Sequence, residues 1–258
     1  MIHPNVPLIF QPEIAKHKPE NIRHPHNYCP FCDTAHLTNI LNQEGDKIWL
    51  VNKYRTLKDT YQTVLIESAN HNGDASNYSV AENRSIFAFA NQCWHNLIDT
   101  GAYRSVLLYK NFGPMSGGSL KHPHFQIVGL THKDGYQDIT PDNFEGLTVF
   151  QEPGFTLNLS TYPIVGFLEF NLIIADPAQI TKLADTAQVV IKYILNDYFH
   201  GICDSYNLFF YDFNDQIICK IIPRFVMSPY FVGYKIPQLN DEQRLLEIKK
   251  ALLAKLTQ

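Results

Sequence analysis

No excess of positive charge marks this chain. Its 21 lysines and arginines face 25 acidic residues, for a formal net charge of −4. A general nucleic-acid surface normally carries a basic stripe, so that class is disfavoured. A pocket for one phosphorylated ligand stays open, because a few local cations suffice there. Cysteine is also sparse, with five in 258 residues, an odd number. A disulfide framework is therefore not expected, and the chain reads as a reduced, cytoplasmic protein. No apolar run is long and uninterrupted enough to span a bilayer, and no early one resembles a secretory signal. No strand leads into a glycine-rich dinucleotide fingerprint, which argues against a Rossmann domain.

What is present is a 45% apolar fraction, enough for a sizeable core in one large domain or two packed halves. Residues 1–28 read as an extended, proline-rich arm. Ile48–Asn52 and Tyr61–Ile66 read as strands. Ser79-Val80-Ala81-Glu82 is a capping box. It opens a helix with Ile86, Phe87, Ala90, Trp94, Leu97 and Ile98 at helical spacing, closed by Gly101. Cys93 and Trp94 lie on its apolar stripe and read as core. Arg104–Lys110 and Phe125–Leu130 read as strands.

The second half repeats this order. Val165–Ile174 reads as a long strand, and Asp176-Pro177 starts a helix that Gly201 follows. Tyr206–Phe213 and Ile217–Ile222 read as strands, and a last helix is expected from an N-cap at Asn240. Tyr103 to Asn111 aligns without gaps on Tyr206 to Asn214, which suggests a diverged tandem repeat. The class expected is α+β, mainly antiparallel sheet with one long helix per half. The expected division is 1–28, 29–135 and 136–258.

Two segments carry chemistry. Gly117-Gly118-Ser119-Leu120-Lys121-His122-Pro123-His124-Phe125-Gln126 places two histidines one residue apart after a small-residue loop. In a strand they would share a face. Backbone N–H groups of such a loop suit phosphate oxygens, and a neutral imidazole can attack phosphorus. Cys29-Pro30-Phe31-Cys32 is a Cys-x-x-Cys pair without the βαβ setting of a redox motif. As half a zinc site it needs about two more ligands. His71 and His122 are candidates, and His24 and His26 compete because they lie closer. A closed set of Cys29, Cys32, His71 and His122 would be structural rather than catalytic.

Assembled, these motifs resemble the galactose-1-phosphate uridylyltransferase branch of the histidine-triad superfamily. The matching residues are Cys29-Pro30-Phe31-Cys32, Asn52-Lys53-Tyr54, Glu67 to His71, Lys110-Asn111-Phe112-Gly113 and Gly117 to Gln126, covering 29–130. Tyr206-Asn207-Leu208 and Ile222-Pro223-Arg224 match more faintly. The resemblance implies two histidine-triad-type halves and nucleotidyl transfer within nucleotide-sugar or galactose metabolism. His124 would be the nucleophile, and Gln126 would hold a phosphoryl oxygen. Asn111 with Ser116, Gly117, Gly118 and Ser119 would line the phosphate site, and Asn52 would sit near the ribose. Cys29, Cys32, His71 and His122 would hold one structural zinc. Hydrolases of the superfamily generally carry a third histidine where this chain has Gln126. Glutamine can donate to phosphate but cannot protonate a leaving group or activate water. The implied partners are a nucleotide sugar or dinucleotide and a phosphorylated acceptor, with no nucleic acid or membrane.

Departures from the family limit the carry-over. Its transferases are usually longer. Ile218-Cys219-Lys220-Ile221-Ile222-Pro223 holds no His-x-His, so no second metal is expected. Arg55 stands where proline is common, which leaves the nucleoside open. Lys53, Arg55, Lys110 and Lys121 are candidates to offset phosphate charge, though solvation is their commoner state. Lys16-His17-Lys18-Pro19 could complete a neighbour's site in a homodimer, with a flexible terminus the simpler expectation. The competing functions are a nucleotide hydrolase and a zinc-stabilised nucleotide-binding protein without turnover.

Overall fold

The computed structural model describes residues 7–257, so residues 1–6 of the expected arm and the final Gln258 lie outside the described residues. The chain forms two compact units. The first comprises residues up to 73, 89–110 and 119–137, and the second comprises 74–88, 111–118 and 138 onward.

In the first unit the arm is tied down. Helix α1, Pro12–Ala15, starts with proline at its first position, where the missing N–H costs nothing. Just before it, Gln11 N donates to Thr56 O at 2.8 Å and Lys58 N donates to Ile9 O at 2.9 Å. Further on, Asn21 N and Ile22 N both donate to Ser119 O, at 2.9 and 3.3 Å.

Five antiparallel strands follow: β1 Ile40–Glu44, β2 Lys47–Val51, β3 Thr60–Ile66, β4 Ser105–Phe112 and β5 His124–Leu130. Their order is β1-β2-β3-β5-β4. Strand β5 is thus paired on both edges, with Ile66 opposite His124, and Val64 and Tyr109 opposite Gln126. Helix α2, Val80–Ile98, passes into this unit at Phe89. Trp94 and Cys93 on it are fully buried, as their apolar spacing predicts. The Trp94 indole N–H donates to Val106 O at 2.9 Å. Burial pushes the Cys93 thiol up to about 12, which leaves it an inert core group.

The second unit contains β6 Gly146–Glu152, β7 Phe155–Ser160, β8 Phe170–Ile174, helix α3 Ile180–Asn196, β9 Tyr206–Phe213, β10 Gln216–Pro223, helix α4 Pro229–Tyr234 and helix α5 Glu242–Leu256. Its antiparallel order is β6-β7-β8-β10-β9. That is the succession of the first unit: a hairpin, a third strand, a helix, then two strands in exchanged order. The α+β class and the tandem halves therefore both hold. The strand bounds set Ser105–Phe112 against Tyr206–Phe213, two residues away from the gapless sequence alignment. An even offset keeps the same residues on each face, so the apolar match survived it.

Three local expectations need correction. The hairpins β1–β2 and β6–β7 were only half visible or unseen, because exposed strands such as β1 carry little apolar alternation. The long strand from Val165 starts only at Phe170. Upstream of it, Gly166 and Phe167 take positive φ values of 134° and 60°. The chain curls there because the buried Glu169 carboxylate accepts from Ile164 N at 3.0 Å and Val165 N at 2.7 Å. The last helix is capped by Asp241, whose carboxylate accepts from Arg244 N at 2.8 Å, rather than by Asn240, whose side-chain amide donates to Phe167 O. No helix among the described residues is long and apolar enough to cross a membrane.

Candidate active site and metal centre

The Cys-x-x-Cys loop, the turn after β3 and the residue two before β5 converge. The candidate ligand atoms of Cys29, Cys32, His71 and His122 all lie within 4.8 Å of one another. The Sγ–Nδ1 separations are 3.7 Å for Cys29–His122, 3.4 Å for Cys32–His122 and 3.2 Å for Cys32–His71. Around one tetrahedral zinc, sulfur and imidazole nitrogen ligands sit about 3.6 Å apart. The donor set and its spacing therefore fit a metal ion such as zinc. His122 is fully buried, and its Nε2–H donates to Ser68 O at 2.9 Å. That bond leaves Nδ1 as the ligating nitrogen. Burial pushes the Cys29 thiol up, but contacts within the cluster and with the backbone outweigh it and bring it down to about 6, while burial and the neighbouring Cys29 push Cys32 up to about 11. A low thiol pKa favours the thiolate that a metal requires. His24 and His26 are not part of the cluster.

His124 opens β5, and Gln126 lies two residues on, so both project to one face. Together with Asn52 and Ser119 they line a cavity of about 550 Å³ in the first unit. Lys18, Tyr28, Phe31, Asp33, Tyr54 and Arg55 also line it. His124 Nδ1 lies 2.7 Å from His122 O, an acceptor only. Nδ1 therefore carries the proton, and Nε2 keeps the lone pair. Burial brings the His124 pKa down to about 4, with nearby Lys110, Lys18 and His122 adding to the decrease, so the ring is neutral. The Tyr109 hydroxyl donates to Gln126 Oε1 at 3.0 Å, which turns the Gln126 NH₂ away from Tyr109.

Asn111, Ser116, Gly117 and Gly118 belong to the second unit and are not among the residues lining this cavity. There they bond among themselves and to neighbours. Asn207 Nδ2 donates to Asn111 Oδ1 at 2.6 Å and to Ser116 O at 3.1 Å. The Ser116 hydroxyl donates to Gly113 O at 2.7 Å and accepts from Gly118 N at 3.3 Å. Gly113 needs its lack of a side chain: at φ 81°, a Cβ would sit 2.2 Å from Asp204 O. Of the expected phosphate loop, Ser119 alone reaches the cavity wall.

Sequence reasoning missed three residues of the site. Phe31 stands edge-on to both histidines, with ring centroids 6.0 Å from His122 and 5.3 Å from His124. Its place between the two cysteines was the available signal. Tyr109 is the cross-strand partner of Gln126, which only the register reveals. Asp33 holds Tyr28 and His36 at the cavity wall, each at 2.7 Å.

The description "Domain of unknown function (DUF4931) N-terminal domain" matches residues 10–133, and its C-terminal counterpart matches 136–254. No curated protein matches the chain. A DUF4931-family protein from Bacillus cereus is 47% identical over 85% of this chain and 100% of its own, with a TM-score of 0.78. A uridylyltransferase is 15% identical, with a TM-score of 0.69 over 91% of this chain and 94% of its own. An ADP-glucose phosphorylase from Arabidopsis thaliana, solved with bound ADP-glucose, is 13% identical, with a TM-score of 0.67 over 95% and 94%. These last two share the fold with this chain, and the first shares its sequence as well. The chain belongs to the DUF4931 family, and its fold is that of the galactose-1-phosphate uridylyltransferase-like branch of the histidine-triad superfamily.

Proposed function

We propose that this protein is a nucleotidyltransferase or nucleotide phosphorylase that works through a covalent nucleotidyl-His124. The observation that carries the reading is the hydrogen bond from His124 Nδ1–H to His122 O. It leaves a neutral ring with a free Nε2 at the wall of a cavity that can hold a nucleotide. Nε2 attacks the α-phosphorus of a nucleotide sugar or dinucleotide. An N–P bond forms, the bond to the distal phosphate oxygen breaks, and that oxygen leaves with the electron pair. The nucleotidyl-imidazole is cationic, and the His122 carbonyl stabilises its Nδ1–H. A phosphate or sugar-phosphate oxygen then attacks phosphorus, and the N–P electron pair returns to Nε2. No proton has to come from Gln126, which donates an amide N–H to a phosphoryl oxygen. Asn52, whose Oδ1 is held by Tyr54 N at 2.8 Å, offers its amide N–H to the ribose. Cys29, Cys32, His71 and His122 would hold zinc as a structural ion, fixing His122 and thereby the carbonyl that orients His124. A cytoplasmic setting, with none of the five cysteines in a disulfide, belongs to the same reading.

The test is intact-mass spectrometry of the protein after incubation with a UDP-sugar and, separately, an ADP-sugar. The expected result is a gain of one UMP or AMP, cleared by phosphate or a sugar phosphate. Clearance by water alone, at an unchanged rate without phosphate, would make the protein a hydrolase. Binding without any mass gain would remove the covalent step.

A further inference from the structure

We propose that Asn21 is a positioning residue of the active site, which turns the Ser119–Leu120 peptide so that the Leu120 N–H is a fixed donor to the phosphoryl group under attack. This deepens the reading of the same cavity and rests on it. Ser119 and Leu120 line the cavity alongside His124 and Gln126. Three hydrogen bonds hold this segment to the arm. Asn21 N and Ile22 N donate to Ser119 O at 2.9 and 3.3 Å, and Lys121 N donates to Asn21 Oδ1 at 2.7 Å. The first two turn the Ser119 carbonyl toward the arm. In a trans peptide, the N–H that follows a carbonyl points the opposite way. The Leu120 N–H is therefore turned away from Asn21, and the bond from Lys121 N fixes the next peptide beside it.

Asn21 is an expensive way to fill this space. It is 1% exposed, and its side-chain nitrogen has no acceptor among the described residues. A leucine of similar size would fill the space without burying an unpaired donor. What the asparagine adds is the acceptor for Lys121 N. On the other side of the segment, neither the Ser119 N–H nor the Leu120 N–H bonds an acceptor among the described residues. Buried backbone donors are rarely left unpaired, and successive N–H groups at a cavity wall form a site for an anion. The Leu120 side chain is 6% exposed and packs in the core with Ile48, Leu50, Val64 and Ile66, so the peptide cannot turn freely about it. The donor is thus held before any ligand arrives. As Nε2 of His124 bonds to phosphorus and the leaving oxygen departs, a pre-oriented N–H stabilises the charge on the phosphoryl oxygens without transferring a proton.

The test follows amide hydrogen exchange by NMR in the full-length, metal-loaded protein, with ADP, UDP, adenosine and uridine as probes. Nucleotidyl-adduct formation is followed by intact mass in parallel. In the free protein the Leu120 amide should exchange faster than that of Lys121, which is bonded to Asn21. The preferred nucleoside diphosphate should slow Leu120 exchange about tenfold or more, and the matching nucleoside, which lacks phosphate, should not. Asn21→Leu should slow adduct formation at saturating nucleotide sugar about tenfold or more, part of the roughly 10²–10³ that a lost oxyanion donor costs. Its nucleoside affinity and zinc content should match wild type. An Asn21→Leu protein that melts lower but forms the adduct at the wild-type rate overturns the proposal, because Asn21 then serves stability alone. So does a Leu120 amide that the diphosphate leaves unprotected, a wild-type measurement that decides the matter even if the variant fails to fold. If the adduct forms with Leu120 unprotected, Asn21 falls and the covalent reading stands. If diphosphate protects Leu120 but no adduct forms, the covalent reading falls and the donor stands. No diphosphate binding by wild type removes both.

Discussion

His122 and His124 are the same residue type, two positions apart, and they end in opposite roles because each spends a different ring nitrogen. His122 donates from Nε2 to Ser68 O and keeps Nδ1 for the metal cluster. His124 donates from Nδ1 to His122 O and keeps Nε2 for chemistry. The pair is legible in the sequence as His-Pro-His, but the tautomers are not, since both acceptors are backbone carbonyls placed by the fold. Replacing His124 with Ala should abolish both turnover and the covalent adduct while nucleotide still binds. Intact mass and equilibrium binding measured together would show this, and wild-type-like activity would sink the mechanism. Tyr109→Phe removes one hydrogen bond from the Gln126 amide and leaves the ring in place. A neutral hydrogen bond is worth about 0.5–1.5 kcal/mol, so adduct formation should slow by about 2–10-fold. An unchanged rate in the variant would mean that Gln126 is oriented by other contacts.

Among the elements, the Cys29–Cys32 loop and strand β5 depend on each other. The loop brings Cys29 and Phe31 into a core with Ile48, Leu50, Val64, Ile66 and Leu120. The metal cluster then joins that loop to the turn carrying His71 and to His122. Zinc bound only by the folded state contributes its binding energy to folding, about 10 kcal/mol or more for small zinc peptides. Elemental analysis should therefore find one zinc per chain, and chelation should lower the melting temperature by about 10 °C or more. Cys32→Ser should do the same, although Cys32 is solvent-exposed. In chelator the variant and wild type should melt alike, because the side chain itself holds no core together. A variant that melted lower than chelated wild type would point to packing instead. The helices and inner strands were legible because their apolar periodicity is strong, as in α2 and β5. The hairpin β6–β7 was not read: β6 is largely half-exposed with little apolar pattern, and β7, though almost wholly buried with Phe155, Leu157 and Leu159 alternating with polar residues, was missed. The four metal residues come from three separated segments, so spacing alone could not gather them. Only the family resemblance did, and the geometry then agreed.

Across the whole molecule, one supersecondary pattern occurs twice but equips only one half for chemistry. The first unit's exchanged strands, β4 and β5, are joined by residues 113–123, which carry the small-residue loop and end in His122-Pro123. Their counterparts β9 and β10 are joined by Asn214-Asp215 alone, both at positive φ, 52° and 59°. A turn that short leaves no backbone to form a phosphate-facing loop or to deliver an imidazole to the start of the following strand. Where β5 opens with His124 and continues to Gln126, β10 opens with Gln216 and continues through Ile217, Ile218 and a fully buried Cys219. Both halves bury a lysine–glutamate ion pair: Lys110 with Glu67 in the first, and Lys220 with Glu169 in the second, each at 2.7 Å and enclosed. Removing one member of such a pair, as in Lys220→Met, should destabilise the protein by about 3–5 kcal/mol in urea unfolding, because Glu169 would be left charged and buried. It should leave the nucleotide stoichiometry unchanged at temperatures where the variant is folded. The expected stoichiometry is one nucleotidyl group per chain, despite the duplicated fold. Titration with labelled nucleotide sugar, read against intact mass, decides it. A second covalent addition would mean that the second half carries its own nucleophile, and the division of labour between the repeats would have to be abandoned.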